Sequence, residues 1–320
     1  MCGIAGILYR GSRGAGPVGQ TVLTLLDVLG SRGVDGTGVA LYGPGELGAL
    51  VLTVRLEGAD VAARVDRLAA DLAGVAAVRS VETRGDYARL VVSGGEGELA
   101  ALADRVEQAD AGARVFSGGR ALEIIKAVGR AEALRDYGLQ GFRGSHGIGH
   151  TRLATESRVD VAHCHPFWAR PVPDMAVVHN GQITNYHTLR RRMEARGVAF
   201  QTDNDSEIIG LYLGGLLAQG ATLEEAMLRS MDDLDGTFTY LVSTAEGIGM
   251  ARDPFGTKPL VVAETADWVA IASEEVALCT AFGRTLVTTQ PGGGQVRVWR
   301  RATEDAGAAP LELAREAAAV

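Results

Sequence analysis

Short apolar segments separated by turns fill most of residues 238–272. Four of them are predicted to be β-strands, at residues 238–242, 248–252, 260–264 and 268–272. The connections are too short for the crossover that joins parallel strands, so an antiparallel sheet is expected. Three predicted helices precede these strands, at residues 189–195, 207–218 and 223–231.

Residues 50–117 show a second pattern within the chain. Strands are predicted at 50–54, 76–82, 87–92 and 113–116, and helices at 60–73 and 98–108. The resulting order, βαββαβ, is typical of ferredoxin-like folds. We therefore predict a ferredoxin-like subdomain at 50–117, inserted into a domain that spans 1–320. It shows no ligand motif, which favours a structural or partner-contacting role.

Two more helices are predicted from composition and spacing. Residues 121–137 are rich in alanine, leucine and glutamate, which favour helices. Residues 310–320 have a similar composition and are predicted to form a closing helix.

The composition argues against several classes of function. The formal net charge of −8 gives no electrostatic support for a general nucleic-acid role. The three cysteines provide neither an even disulfide framework nor paired zinc-ligand spacing, so a reduced, cytoplasmic setting is expected. No apolar run approaches the roughly 20 residues that span a bilayer, and no signal-peptide pattern opens the chain. We therefore expect no membrane association.

Cys2 directly follows the initiator methionine. If Met1 is removed, as is common before a small residue, Cys2 carries both a thiol and a free α-amino group. The thiolate is a strong nucleophile, and an α-amine with a pKa of about 7.7–8.0 can accept the thiol proton near neutral pH. A second interpretation is a small buried hydrophobic residue that opens the strand predicted at 3–8. Taken alone, the segment favours neither interpretation.

Two later segments contain residues that suit substrate binding. Arg152 ends a predicted strand, where its guanidinium could hold a carboxylate bidentately or form a structural ion pair. The run His163-Cys164-His165 contains possible metal ligands. However, adjacent strand positions face opposite sides, and no fourth ligand stands at the usual spacing. We therefore predict no metal site and interpret His165 as a buried or pocket-lining histidine.

Two further motifs follow the strand predicted at 175–178. Asn180 and Gly181 offer a side-chain amide and a backbone N–H, the components of an oxyanion hole. The alternative is an ordinary Asn-Gly hairpin turn. Asp205 stands where a helix is expected to begin, so it could cap that helix or receive a substrate ammonium group. In the second case Arg152 and Asp205 would recognise the two ends of a free amino acid.

Short motifs run in a characteristic order from residue 2 to about residue 275, interrupted only by the inserted segment. They are Cys2-Gly3-Ile4, Arg32-Gly33-x-Asp35-x-x-Gly38, His150-Thr151-Arg152-x-Ala154-Thr155, His179-Asn180-Gly181, Asp205-Ser206-Glu207, Arg252-Asp253-Pro254-x-Gly256-x-Lys258-Pro259-Leu260 and Ala272-Ser273-Glu274. In these motifs the chain resembles the class II glutamine amidotransferases, which are N-terminal-nucleophile hydrolases.

The resemblance implies a role for each matching position. Cys2 would be the nucleophile and its freed amine the general base. Arg152 and Asp205 would grip the α-carboxylate and the α-amino group of glutamine. The Asn180 side chain and the Gly181 backbone N–H would form the oxyanion hole. The implied reaction releases ammonia from the glutamine amide and hydrolyses a glutamyl thioester to glutamate.

The resemblance also implies a fold and further contacts. The family fold belongs to the α+β class and is a four-layer αββα sandwich of two antiparallel sheets. Thr155 and His165 would be additional substrate-binding residues, and this chain would hold no metal or cofactor of its own. Leu153 stands where several relatives carry an aromatic residue, and Glu156 where the sugar-phosphate amidotransferase has a histidine. These departures affect fine contacts of the pocket rather than the nucleophile.

The motifs look closest to the glutamate-synthase-like group, which includes the separately encoded amidotransferase subunit of N-methylglutamate synthase. No phosphoribosyl-pyrophosphate loop, sugar-isomerase domain or ATP-pyrophosphatase motif is visible, so we expect either that the ammonia acceptor lies on another chain or that there is none. The implied partners are a flavin-containing synthase subunit and a smaller glutamate-synthase-like subunit, with an iron–sulfur cluster as a further candidate cofactor there. Two alternatives stay open: a hydrolase of another γ-glutamyl amide, and a non-catalytic regulatory subunit.

Overall fold

The computed structural model describes residues 2–10, 15–154 and 158–301, together with the backbone of 312–313. Its β-strands are β1 (Gly3–Tyr9), β2 (Gly36–Tyr42), β3 (Ala49–Leu56), β4 (Val78–Arg84), β5 (Tyr87–Ser93), β6 (Ala113–Gly119), β7 (Leu122–Val128), β8 (His146–Arg152), β9 (Phe167–Trp168), β10 (Ala176–Ile183), β11 (Gly236–Thr244), β12 (Gly247–Arg252), β13 (Val261–Glu264), β14 (Trp268–Ala272), β15 (Val296–Arg300) and β16 (Glu312–Leu313). Its α-helices are α1 (Val18–Leu29), α2 (Val61–Leu72), α3 (Leu99–Ala109), α4 (Tyr186–Glu194), α5 (Asp205–Ala218), α6 (Leu223–Asp233) and α7 (Glu275–Phe282). Short 3₁₀ helices lie at Glu96–Glu98, Ala131–Tyr137 and Leu139–Gly141.

The first sheet holds the start of the chain at its centre. Its strand order is β13-β14-β1-β8-β2-β7, and each neighbouring pair is antiparallel. Gly3 lies opposite Thr151 and Ile4 opposite His150. A Cβ on Gly3 would lie 2.8 Å from the Oγ1 of Thr151, so a residue without a side chain suits this position. The register brings Cys2, just before β1, to the end of β8.

The second sheet carries the Asn-Gly motif on an inner strand. Its order is β16-β15-β12-β11-β10-β9, again antiparallel throughout. Asn180 lies opposite Thr239 and Gly181 opposite Phe238, within one continuous ladder. Gly181 has a φ of 138°, and a Cβ there would collide with the carbonyl oxygen of Thr237. Only glycine fits this conformation, and the motif therefore continues a strand instead of forming a hairpin turn.

Helices pack on both sheets, and the sheets contact each other. α1 and α7 pack on the first sheet, and α5 and α6 pack on the second. Ile148 of β8 and Leu241 of β11 are fully buried in the shared core between the sheets. Each such side chain typically stabilises the fold by about 1.5–3 kcal/mol. The predicted α+β class with antiparallel sheets is confirmed. None of the described helices is both long enough and apolar enough to cross a bilayer.

The segment between β2 and β7 forms a third sheet. Its strand order is β4-β5-β3-β6, and its elements follow along the chain as β3, α2, β4, β5, α3 and β6. Fully buried Val54 and Leu90 belong to the same apolar cluster as the first sheet. The Tyr87 hydroxyl donates to the carbonyl of Lys126 at 2.9 Å and accepts from its N–H at 3.0 Å, which ties this segment to β7.

The helix predicted at 121–137 is wrong, because Leu122–Val128 forms β7 at the edge of the first sheet. Alanine, leucine and glutamate favour a helix locally, but pairing with β2 and burial outweigh that preference. Glu123 is buried, and its carboxylate lies 3.0 Å from the guanidinium groups of both Arg84 and Arg89. These partners come from the inserted segment and are invisible to a local pattern.

The four strands predicted within residues 238–272 form two antiparallel pairs rather than one sheet. β11 and β12 belong to the second sheet, whereas β13 and β14 belong to the first. The chain passes from one sheet to the other through residues 253–260. Each hairpin satisfies its own local pattern, so only the contacts beyond the hairpin decide which sheet it joins. The helix predicted at 310–320 falls outside the described residues, except at 312–313, which pair with β15 as β16.

Candidate active site

A cleft of about 860 Å³ lies beside the start of β1, the end of β8, the second half of β10 and the start of α5. Six of the predicted site residues contribute to its wall: Cys2, Arg152, His165, Asn180, Gly181 and Asp205. Thr155, the seventh, lies outside the described residues. The structure therefore brings together groups that are scattered over most of the sequence.

Cys2 is half-buried in the cleft wall. Its Sγ lies 3.3 Å from the backbone nitrogen of Leu153, which donates to the sulfur, and 3.6 Å from the carbonyl oxygen of the same residue. Its own carbonyl oxygen accepts hydrogen bonds from Arg32 Nε at 2.9 Å and from Asn180 Nδ2 at 3.2 Å. The backbone of Cys2 is thus held by two side chains, while its sulfur lies against main chain and lines the cleft.

Arg32 contributes to the site in a way that sequence reasoning missed. Its side chain is 9% exposed and pairs with Glu274, with Nη1 and Oε1 2.5 Å apart. The carboxylate anchors the guanidinium that holds the Cys2 carbonyl. A Cβ on the neighbouring Gly33 would lie 2.6 Å from the backbone of Arg152, so this turn packs closely on the end of β8. Arg32 and Gly33 belong to the motif Arg32-Gly33-x-Asp35-x-x-Gly38. That motif is the feature of the sequence from which their place in the site could have been predicted.

Neighbouring side chains set the orientation of Asn180. Its Oδ1 lies 3.1 Å from His150 Nε2, and its Nδ2 donates to Cys2 O at 3.2 Å and to Ser273 Oγ at 3.4 Å. Burial lowers the pKa of His150 to about 3, so the ring is neutral near pH 7. From this network we assign the ring proton to Nε2, which donates to Oδ1. The amide N–H groups of Asn180 then face Cys2.

His165 extends this chain of hydrogen bonds. Its Nδ1 lies 3.1 Å from His150 Nδ1, and the two ring centroids are 4.1 Å apart. Burial holds the pKa of His165 well below its usual value, so this ring is also neutral. Since Nδ1 must donate to His150, Nε2 carries a lone pair; it is buried and accepts no hydrogen bond from any described residue. A donor group on a substrate would satisfy it.

Arg152 ends β8 and is 3% exposed. Its Nη1 donates to the carbonyl of Arg158 at 2.8 Å. The segment that follows it is held by Asp35, whose Oδ2 accepts a hydrogen bond from Ala154 N at 2.8 Å. The guanidinium is therefore buried and positioned within the cleft wall.

Asp205 is the first residue of α5, but the helix cap is made by its neighbour. The side chain of Asn204 accepts the hydrogen bond from Ser206 N at 2.9 Å. The carboxylate of Asp205 accepts from Ile183 N at 2.9 Å through Oδ2, and its side chain remains 27% exposed. The capping interpretation therefore belongs to Asn204, and Asp205 presents an acceptor to the cleft.

The segment His163-Cys164-His165 directs its side chains to different partners. His163 bridges Asp160 Oδ1 at 2.7 Å and Asp203 Oδ1 at 2.6 Å. The buried Cys164 sulfur lies 3.2 Å from the carbonyl of Asp160, whereas His165 pairs with His150 of β8. In the described part of the chain, no group of three His, Cys, Asp or Glu residues is arranged to hold a metal ion.

The motif at 252–260 builds a loop at the edge of the cleft. Asp253 Oδ1 accepts hydrogen bonds from the N–H groups of Phe255 at 2.9 Å and Gly256 at 3.2 Å. Gly256 has a φ of 59°, in the left-handed region that favours glycine. The turn places residues 257–259 in the cleft wall. This motif therefore forms part of the cleft wall.

A family model described as a glutamine amidotransferase domain matches residues 150–280. The chain is 37% identical over 306 residues to a putative glutamine amidotransferase of Methanothermobacter thermautotrophicus, covering 93% of this chain and 99% of that protein. It is 37% identical over 286 residues to the glutamine amidotransferase-like protein GlxB of Rhizobium meliloti, covering 87% and 91%.

Solved structures support the same fold. The glutamine phosphoribosylpyrophosphate amidotransferase from B. subtilis, complexed with ADP and GMP, matches with a TM-score of 0.60 at 19% identity. The match covers 93% of this chain and 47% of that one, so the chain corresponds to about half of the larger enzyme. The similar sequences, the shared fold and the cleft agree: this chain belongs to the class II glutamine amidotransferases and is an enzyme of that class.

Proposed function

We propose that this enzyme hydrolyses the side-chain amide of glutamine and supplies the ammonia to a separate glutamate-synthase-like subunit. The observation that carries the proposal is the meeting of Cys2, Asn180, Arg152 and Asp205 in one cleft. A nucleophile, an amide donor and one group of each charge suit an amino acid whose side chain ends in an amide. The direct test is ammonia release from glutamine, with and without candidate synthase subunits. Cleavage of another γ-glutamyl amide, with none of glutamine, would contradict the proposal.

The proposed reaction begins after Met1 has been removed, which frees the α-amine of Cys2. The amine accepts the thiol proton, and the thiolate attacks the side-chain carbonyl carbon of glutamine. The C–N bond of the tetrahedral intermediate then breaks as the proton passes to nitrogen, so that ammonia leaves and a γ-glutamyl thioester remains. Attack by water on the thioester gives glutamate and restores the thiol.

The tetrahedral intermediate carries a negative oxygen that needs donors already in position. The Asn180 amide is one proposed donor, because it lies next to Cys2 and the neutral His150 fixes its orientation. The Gly181 backbone N–H is the second. When the intermediate forms, the Asn180 N–H that now reaches the Cys2 carbonyl is close enough to turn to the new oxyanion.

Replacing Asn180 by alanine is expected to lower kcat by about 10²–10³-fold, with a smaller change in KM, because the lost donor acts mainly in the transition state. Steady-state ammonia release measures both constants. Asn185→Ala is the matched control: its amide bonds to the backbone of Asp233 at 2.9 Å and Asp235 at 3.2 Å, outside the cleft. We expect kcat of this control to stay close to that of the parent. Equal losses in the two variants would remove Asn180 from the oxyanion hole.

Replacing Asp205 by asparagine is expected to raise KM for glutamine by roughly 10–100-fold, the equivalent of about 1.5–3 kcal/mol for a charge-assisted hydrogen bond. Asparagine keeps an oxygen that can accept from Ile183 N, so the local backbone contact survives. Asp235→Asn, at an exposed position nearby, controls for the loss of one negative charge. A large fall in kcat without a change in KM would show that the carboxylate takes part in the chemistry instead of binding.

The packing supports a more detailed proposal about the fold. We propose the four-layer αββα sandwich of the N-terminal-nucleophile hydrolases, with residues 50–117 as an inserted ferredoxin-like subdomain. The support is the packing of α1 and α7 on one sheet, of α5 and α6 on the other, and the separate sheet of β3 to β6. We also propose Thr155 and His165 as further substrate contacts.

The proposed partners are glutamate-synthase-like subunits, one of which carries flavin and, as a further candidate cofactor, an iron–sulfur cluster. The proposed location is the cytoplasm. Co-purification from the native host tests this assembly: flavin absorbance that elutes with the chain supports it. Elution of the chain without any flavin-bearing protein, at native concentrations, would contradict it.

A further inference from the structure

A buried lysine lies where the inserted segment meets the core. Lys126 of β7 is 3% exposed, and its Nζ lies 4.8 Å from the ring centroid of Phe116 and 4.7 Å from that of Phe167. Within the described residues, its ammonium makes no hydrogen bond and no ion pair. Burial of a charge without such partners is costly, and two aromatic faces compensate only part of the cost. The position therefore calls for an additional partner.

The ammonium lines a small pocket, separate from the cleft. Its walls come from residues 114–116 of β6, residues 167–168 of β9, and the loop residues 201–202. The pocket volume is about 40 Å³. Since one water occupies about 10–15 Å³ on this measure, there is room for roughly three waters or for one planar group of similar size.

The charges around the pocket favour an anion. Glu207 is the only carboxylate among the described lining residues, and it is already occupied by the N–H groups of Gln201 at 2.6 Å and Thr202 at 2.8 Å. The Thr202 hydroxyl adds a third hydrogen bond to it at 2.7 Å. Arg114 and Arg170 also line the pocket and carry positive charges, and Arg170 is paired with Asp104 and Glu107. The charges of Glu207 and Asp160 attract the Lys126 ammonium, but neither carboxylate accepts a hydrogen bond from it, so the N–H donors of the lysine remain to be satisfied.

We propose that this pocket binds a small carboxylate of formate or acetate size through the Lys126 ammonium. Three N–H donors on a positive group match the acceptor oxygens of a carboxylate. Burial lowers the pKa of Lys126 to about 8, so the unoccupied group is still charged at neutral pH, and a bound anion would favour that charged form.

The pocket is connected to the cleft by one short loop. Residues 201–202 form part of its wall and are anchored to Glu207 of α5, whose first residue is Asp205. A carboxylate bound at Lys126 would therefore contact the loop that leads to the cleft. Binding of a carboxylate at Lys126 does not depend on the reaction proposed for the cleft.

The test is a thermal titration of the full chain with sodium acetate, against sodium chloride at equal ionic strength. Acetate is expected to raise Tm in a saturable way beyond the effect of chloride, since a ligand that binds only the folded state stabilises it. In Lys126→Met, which keeps the apolar stem, we expect acetate binding to weaken by at least about tenfold. The variant should also fold, because removing an unpaired buried charge is usually tolerated.

Two further variants keep the test decisive. Ala162→Leu narrows the pocket and leaves the lysine in place, so it is expected to lose the acetate response even if Lys126→Met fails to fold. Arg67→Met removes one positive charge from the exposed face of α2, outside the pocket, and should keep the response. The proposal is overturned if acetate and chloride act alike on the parent, or if a folded Lys126→Met or Ala162→Leu protein responds as the parent does.

Discussion

Replacing Cys2 by alanine is expected to lower the rate of ammonia release from glutamine by at least about 10⁴-fold, the scale on which removal of a catalytic nucleophile acts. The fold should survive, because the half-buried sulfur makes its hydrogen-bond contacts with the main chain of Leu153 and belongs to no hydrophobic core cluster. Steady-state ammonia release and thermal unfolding, measured on the same preparation, separate loss of chemistry from loss of structure.

Cys279→Ala is the matched control for this experiment. Cys279 is a partly exposed cysteine on α7, and it does not line the cleft. We expect this variant to retain the activity of the parent. If Cys2→Ala still hydrolysed glutamine at a comparable rate, the nucleophile would have to be another group, and the thioester pathway would be wrong.

A lysine inserted between Met1 and Cys2 is expected to lower the same rate by about 10²–10⁴-fold, the usual contribution of a general base. A large residue after methionine prevents its removal, so the α-amine of Cys2 would stay within a peptide bond. That nitrogen could no longer accept the thiol proton. Mass spectrometry establishes which residue begins the chain, and ammonia release then measures the consequence.

The control for this experiment is a protein in which Cys2 can be made the first residue by cleavage. A removable leader ending immediately before Cys2 should block activity while it is attached, and cleavage that leaves Cys2 first should recover it. Because the two forms differ only at the terminus, recovery identifies the freed amine rather than the fold as the cause. Normal turnover by the lysine-inserted protein would mean that the base is another group.

The contacts of Arg32 show how the site depends on the residue just before β1. Its guanidinium holds the carbonyl of Cys2, and Glu274 holds the guanidinium. On the other side, Ser273 Oγ accepts from Ile4 N at 2.9 Å. The start of β1 is therefore held by Arg32 on one side and by Ser273 on the other. The proposed role of Cys2 as a nucleophile at a freed terminus needs such support, since termini that are not tied down are poorly ordered.

Much of the site could be predicted because its residues carry their chemistry with them. The sequence itself shows a cysteine at position 2, an arginine at a strand end and an aspartate where a helix begins, and the structure places all three in one cleft. The βαββαβ order of the elements between β2 and β7 could also be predicted, because short strands and helices differ in the period of their apolar residues. Local patterns suffice for features of this kind.

The tertiary structure decided what these residues touch. The Asn180 amide reaches a carbonyl 178 positions away, and its orientation depends on His150, 30 positions away. Distant partners also decide the conformation of β7. Its pairing with β2 and the ion pairs of Glu123 with Arg84 and Arg89 outweigh the local preference for a helix. Hydrogen bonds, burial and sheet membership are set by neighbours in space, and such neighbours leave no periodic trace in the sequence around a residue.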